Sequence, residues 1–229
     1  MAIKAVIWDF GGVFTSSPFE AFNRYEAERG LPSDFIRKVN ATNADSNAWA
    51  LFERSEIDST GFDRRFFEES SALGYPVRGA DILPLLAGEV RPRMVEALVI
   101  CKRHFKVGCI TNNMAHGHGT GMAPTAEGAS RTTDIMQLFD AIVESSKVGV
   151  RKPDPRIYLM MCERIGVEPT ACVYLDDLGI NCKSAAQLGM KAIKVVNEAR
   201  ALAELEAATG LTFPHIAASP ASGGEEAGD

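Results

Sequence analysis

The sequence predicts an α/β protein: a doubly wound parallel sheet with a small helical cap domain inserted after strand one. Three observations lead there. Strand-like apolar runs recur, and helical stretches alternate with them, which is the order of a parallel sheet crossed by helices. The runs are nearly continuous in apolar character, as strands buried on both faces are. One interval, of about ninety residues between the first two strands, is too long for a loop and reads as mostly helical and amphipathic.

In chain order the expected strands are KAVIWDF (4–10), KVGCITNN (106–113), AIVES (141–145), ACVYLDD (171–177) and KAIKVVN (191–197). The expected core helices are 91–104, 154–166 and 181–190. The first opens on Arg91-Pro92, and proline suits the first helical turn. The other two are expected to stop at Gly166 and Gly189, since glycine tolerates the left-handed backbone that ends helices. Inside the long interval, 18–30, 33–43, 47–56 and 59–74 read as four short amphipathic helices. Phe14, Phe19, Phe22, Trp49, Phe52, Phe62, Phe66 and Phe67 are expected to build that insertion's own core. The predicted division is a core of 1–15 with 89–216, a helical cap of 16–88, and a disordered tail of 217–229 rich in Ala, Ser, Gly and Glu.

Composition narrows the function. With 229 residues, 46% hydrophobic and 24% charged, the chain can bury a sizeable core. A net charge of -6 leaves no basic excess for nucleic acid or an anionic membrane, yet a small phosphorylated ligand needs only a few local donors. The 5 cysteines form no C-x-x-C pair and read as reduced, buried thiols. The chain enters its first strand directly, with no apolar stretch long enough for a signal or membrane span. A cytoplasmic protein is expected, a monomer or homodimer.

Parallel strands deliver their polar ends to one edge of the sheet. Those ends are Asp9; Thr111-Asn112-Asn113; Lys152 ahead of PDP; and Asp176-Asp177 with Asn181. This is a coherent set for phosphoryl transfer. Asp9 would attack phosphorus, Thr111 and the following amide would hold phosphate oxygens, and Lys152 would balance the negative charge. Asp9 and Asp177 would hold Mg²⁺ through hard oxygen ligands. Taken singly, each is an ordinary turn or capping residue. The adjacent Asp176 and Asp177 are harder to explain that way, because they repel each other unless a cation or donors sit between them.

WDFGGVF, CITNN, VGVRKPDPRIY and VYLDDLGINCKSAAQLGM, in that order, resemble the four motifs of the haloacid dehalogenase superfamily. The chain is most similar to the subgroup that contains the N-terminal phosphatase domain of soluble epoxide hydrolases; nothing in it resembles their epoxide-cleaving half. The resemblance covers roughly residues 3–212 and implies a Rossmann-like core with a helical cap. It also implies an Mg²⁺-dependent hydrolase of small phosphorylated metabolites working through a phospho-aspartate. By that likeness Asp9 is nucleophile and metal ligand, Gly11 offers a backbone carbonyl to the metal, and Asp177 binds it too. Thr111 and Asn112 would contact phosphate, Lys152 would orient and neutralise, and Asp176 and Asn181 would support the metal site.

One position departs from the pattern. Phosphatases of this family usually carry a second aspartate two residues after the nucleophile, which protonates the leaving alcohol and later activates water. Here it is Gly11. Loss of that relay is worth about 10²–10⁴-fold, hurting aryl, acyl and anomeric phosphates least. His116 and His118, in the Gly-rich stretch 114–130, could supply a substitute acid or could be ordinary loop residues. Two alternatives stay open: a member of the family that binds a phospholigand with little or no turnover, and a metal-free 2-haloacid dehalogenase. The Asp176-Asp177 pair disfavours the second.

Overall fold

The computed structural model describes residues 2–113 and 126–213. His116, His118 and the tail 217–229 lie outside the described residues. Five strands, β1 (Ala5–Trp8), β2 (Lys106–Thr111), β3 (Ala141–Glu144), β4 (Cys172–Asp176) and β5 (Lys191–Lys194), form one sheet of order β3-β2-β1-β4-β5. Every neighbouring pair is parallel, and Trp8 is in register with both Cys109 and Leu175. The chain builds outward from β1 to one side and then returns to build the other. The switch point therefore falls between β1 and β4, where open α/β sheets hold their ligands beyond the strand ends.

Alternation along the strands sorts side chains into two cores. Val6, Trp8, Val107, Cys109, Val173 and Leu175 face one layer, which buries Met94, Ala97 and Leu98 together with Ala201, Leu202 and Leu205. Ala5, Ile7, Ile110, Val143 and Tyr174 face the other, against Ile157, Tyr158, Met161 and Ala185. Helices cover both faces, as a doubly wound sheet requires. The five cysteines are buried and free.

Between β1 and β2 run α1 (Phe19–Arg29), α2 (Phe35–Ala41), α3 (Ala48–Glu53), α4 (Ser59–Ala72) and a short α5 (Gly79–Ile82), then α6 (Pro92–Lys102), which returns to the sheet. Phe22, Phe35, Ile36, Val39, Phe52, Phe62 and Phe66 pack into a core of this insertion's own, with Phe19 and Trp49 at its margin. Two of the expected members are elsewhere. Phe14 precedes the departure from the sheet and packs with Trp8, Phe10 and Phe139. Phe67 stays 37% exposed, beneath the Arg78 guanidinium at 5.6 Å.

The two strands of chain that join insertion to sheet run side by side. Thr15 and Val90 form an antiparallel bridge, and Ser16 N–H donates to the Glu89 carbonyl at 2.8 Å. Gly88 permits this approach, because a β-carbon there would sit 2.6 Å from the Ser16 carbonyl oxygen.

The remaining helices are α7 (Ala126–Met136), α8 (Ser145–Val148), α9 (Pro155–Ile165), α10 (Gly179–Gln187) and α11 (Glu198–Thr209). Gly166 ends α9 in the left-handed region at φ 66. Gly189 ends α10 in the same way at φ 90, with its N–H donating to Ala186 O at 2.9 Å and Met190 N–H donating to Ala185 O at 3.2 Å, although the helix starts earlier than expected, at Gly179. Part of the expected loop 114–130 is the start of α7. The strands are shorter than the apolar runs. Even so, Asp9 N–H still donates to Leu175 O at 2.8 Å. No helix among the described residues is long and apolar enough to cross a membrane.

Candidate active site

The strand ends bring together Asp9, Lys152, Asp176, Asp177 and Asn181. Lys152 is 2% exposed, with Nζ 2.6 Å from Asp9 Oδ1 and 2.9 Å from Asp176 Oδ2. One ammonium thus bridges the ends of β1 and β4 across the switch point. One carboxylate oxygen from each of Asp9, Asp176 and Asp177 lies within 4.8 Å of the others.

Asp176 is fully buried and saturated with donors. Besides Lys152 it accepts from Tyr174 Oη at 2.5 Å, from Asn181 Nδ2 at 3.1 Å and from Leu178 N–H at 2.8 Å. Tyr158 Oη donates to the Asn181 carbonyl at 3.1 Å, fixing the first turn of α10. Asp9 is held on one oxygen: Oδ1 accepts from Phe10 N–H at 2.7 Å as well as from Lys152. Asp177 has a lighter hold, with Ser17 Oγ at 3.5 Å from its Oδ2.

Three carboxylates facing one ammonium leave two negative charges uncompensated. Burial pushes the Asp9 carboxyl well above the usual carboxylate range; Asp176 and Asp177 add to this and Lys152 opposes it. Burial, then the charge of Asp176, holds Asp177 up to about 6. Burial alone would lower the Lys152 ammonium, but Asp176 and Asp9 outweigh it and keep the group charged well above its usual range. A divalent cation matches this deficit in charge, and an all-oxygen donor set matches a hard ion such as Mg²⁺.

The glycines after Asp9 differ in their surroundings. Gly12 is at φ 72, and a β-carbon there would come 2.2 Å from Asp177 Oδ2, so the turn and the carboxylate need glycine. A β-carbon on Gly11 would meet nothing within 4 Å. Arg91 Nη1 donates to the Gly12 carbonyl at 2.9 Å and braces the turn.

Thr111 is the last residue of β2, the strand next to β1 in the sheet, and is buried. The Asn112 side chain is committed elsewhere. Its Oδ1 accepts from Lys152 N–H at 2.8 Å, and its Nδ2 donates to Lys152 O at 3.1 Å and to Glu53 Oε2 at 3.3 Å. Sequence reasoning missed Tyr174, Tyr158, Arg91 and Glu53. A signal for Tyr174 existed: it is two residues before Asp176 on the same strand, hence on the same face.

A cluster of acids around a buried lysine thus lies at the switch point of a Rossmann-like sheet. Residues 3–189 match the model of the haloacid dehalogenase-like hydrolases, and the chain belongs to that family. It is 33% identical over 92% of its length to mouse acyl-CoA dehydrogenase family member 10, and 29% identical over 93% to mouse bifunctional epoxide hydrolase 2. The chain spans 19% and 40% of those proteins respectively. It is 30% identical to phosphatase MT3486 of Mycobacterium tuberculosis, with 85% of this chain and 88% of that one covered. Among solved structures it is similar to a haloacid dehalogenase-family enzyme of Bacteroides thetaiotaomicron, in complex with magnesium and inorganic phosphate. That likeness has a TM-score of 0.54 at 17% identity and covers 84% of this chain and 94% of that one; it speaks to the fold.

Proposed function

We propose that the protein is an Mg²⁺-dependent phosphoric-monoester hydrolase in which Asp9 is the covalent nucleophile. Residues 1–15 and 89–216 would form the catalytic core and 16–88 the cap. The observation that carries the reading is the Lys152 bridge, which ties one oxygen of Asp9 and leaves Oδ2 to attack.

In the first step Asp9 Oδ2 forms a bond to phosphorus as the bond to the leaving oxygen breaks, and that oxygen departs with the electron pair. Lys152 offsets the negative charge gathered at the site. Thr111 Oγ1 and the Asn112 backbone N–H would hold phosphate oxygens; the Asn112 side chain would fix Lys152. Asp9, Asp177 and the Gly11 carbonyl would hold Mg²⁺, whose charge offsets that of the phosphate oxygens when bound. Asp176 and Asn181 would support this arrangement. In the second step water attacks the same phosphorus, the aspartyl P–O bond breaks, and inorganic phosphate leaves with Asp9 regenerated.

The substrate class is a small phosphorylated metabolite. Gly11 supplies no acid to the leaving oxygen, so acyl, aryl and anomeric phosphates, whose leaving groups need little protonation, are the favoured ones. The missing acid at Gly11 also supports a second reading, a phospholigand-binding member of the family with little turnover. The test is the adduct. BeF₃⁻ with Mg²⁺ is expected to attach at Asp9 in a structure of the wild-type protein. A well-ordered site without it would sink the covalent mechanism.

A further inference from the structure

We infer that Glu53, on the helical insertion, is a positioning residue for the phosphate site: it locks the insertion onto the Asn112–Lys152 pair. This rests on the phosphatase reading above.

Glu53 ends α3, and its side chain is 8% exposed. Its Oε2 accepts from Arg151 Nε at 2.6 Å and from Asn112 Nδ2 at 3.3 Å, while Oε1 accepts from Trp49 Nε1 at 3.1 Å. Its backbone carbonyl accepts from Ser145 Oγ at 2.7 Å, and that same hydroxyl accepts from Asn113 N–H at 3.0 Å. Arg151 reaches onward, with Nη1 donating to Ala44 O at 3.0 Å. One residue of the insertion therefore gathers the end of β2 and the segment leading to α9 through its carboxylate, and the end of β3 through its backbone carbonyl.

The consequence concerns Lys152. Asn112 grips both backbone polar groups of Lys152, and Glu53 takes the remaining donor capacity of the same amide. Arg151, the next residue back along the chain, is anchored to Glu53 directly. The backbone from which the Lys152 side chain reaches Asp9 is thus held from two sides by one residue of the insertion. Two unusual backbone positions flank the contact: Asn43 at φ 49, just before Ala44, and Ser55 at φ 59, two residues after Glu53. A left-handed serine is uncommon, and such outliers collect where a surface is shaped for a task.

The paired linker holds the insertion on one side and the Glu53 node holds it on the other. With the node formed, Lys152 and Asn112 are aligned; without the Glu53 carboxylate, Asn112 loses one of its two acceptors and Arg151 its carboxylate partner. The phosphate site would then be complete only when the insertion is seated.

The experiment compares wild type, Glu53→Gln and Arg151→Met for three quantities: melting temperature, affinity for inorganic phosphate in Mg²⁺ by calorimetry, and kcat and KM on p-nitrophenyl phosphate. Both variants are expected to weaken phosphate binding and lower kcat by about 10-fold or more, as small misplacements of catalytic groups do. A structural role alone would lower the melting temperature and leave phosphate affinity and kcat of the folded protein within twofold of wild type. That result overturns the inference. Wild type that neither binds nor hydrolyses phosphate overturns the phosphatase reading, and with it the role for Glu53. Wild type that binds without turnover leaves phosphate affinity as the deciding quantity.

Discussion

Gly12 and Asp177 touch across the switch point: a β-carbon on Gly12 would fall 2.2 Å from Oδ2 of Asp177, with the glycine at φ 72. Gly12→Ala therefore has to move either the turn after Asp9 or the carboxylate. The left-handed backbone costs a non-glycine residue about 1–2 kcal/mol before the clash is added. The expected outcome is a protein that folds with a lower melting temperature and no longer gains stability from Mg²⁺. Thermal unfolding with Mg²⁺ and with a chelator checks it.

Gly11 is the opposite case, because the space around its missing side chain is open and its backbone is not left-handed. Gly11→Asp should fold as well as wild type and restore a general acid. Turnover of an alkyl phosphate such as glycerol 3-phosphate should rise by about 10²-fold, with a much smaller gain on acetyl phosphate. Equal gains on both would show that protonation of the leaving group is not what the site lacks.

Lys152→Met removes the cation from between Asp9 and Asp176 while keeping bulk in the buried position. Leaving buried charges unpaired costs about 3–5 kcal/mol, and phosphate release should fall by 10²-fold or more. Urea unfolding and steady-state kinetics on p-nitrophenyl phosphate measure the two effects separately.

Metal binding should depend on pH with a definite sign. Asp177 is held up to about 6 by burial and by Asp176, and Asp9 is also pushed up. Without metal, the folded chain keeps a proton on Asp177 that the unfolded chain has lost, from about pH 4 to about 6. Stability of the metal-free protein therefore falls as pH rises through that window, by up to about 3 kcal/mol from this group. Mg²⁺ must displace the proton, so its stabilising effect is expected to be large at pH 7.5 and small at pH 5. Asp177→Asn should abolish the difference. Melting temperatures at both pH values, with and without Mg²⁺, decide it.

The strands and the acids at their ends were legible because their signals are local. Buried parallel strands read as apolar runs, and a polar residue closing each run marks the ligand edge. Gly166 and Gly189 were legible as helix ends for the same reason: each is left-handed, and the backbone around each closes back onto the last turn of its helix. Helix α11 went unread even though its buried Ala201, Leu202 and Leu205 follow helical spacing. Phe14 was assigned to the insertion from its place in the chain, while the layer it joins depends on where the chain leaves the sheet. The Glu53 node is the clearest case of tertiary information. Glu53 and Arg151 are 98 residues apart, and before folding each is an ordinary charged residue. The Asn112 side chain holds Lys152 for the same kind of reason: its partners are 40 residues away.

The most direct test of the central claim is phosphate release from acetyl phosphate by wild type and Asp9→Asn, each in Mg²⁺ and in a chelator. Acetyl phosphate needs little leaving-group protonation, so Gly11 does not obscure the result. Release by wild type in Mg²⁺, with none in the chelator and none from Asp9→Asn, is the predicted result. Equal release by Asp9→Asn would contradict the assignment of Asp9 as the nucleophile.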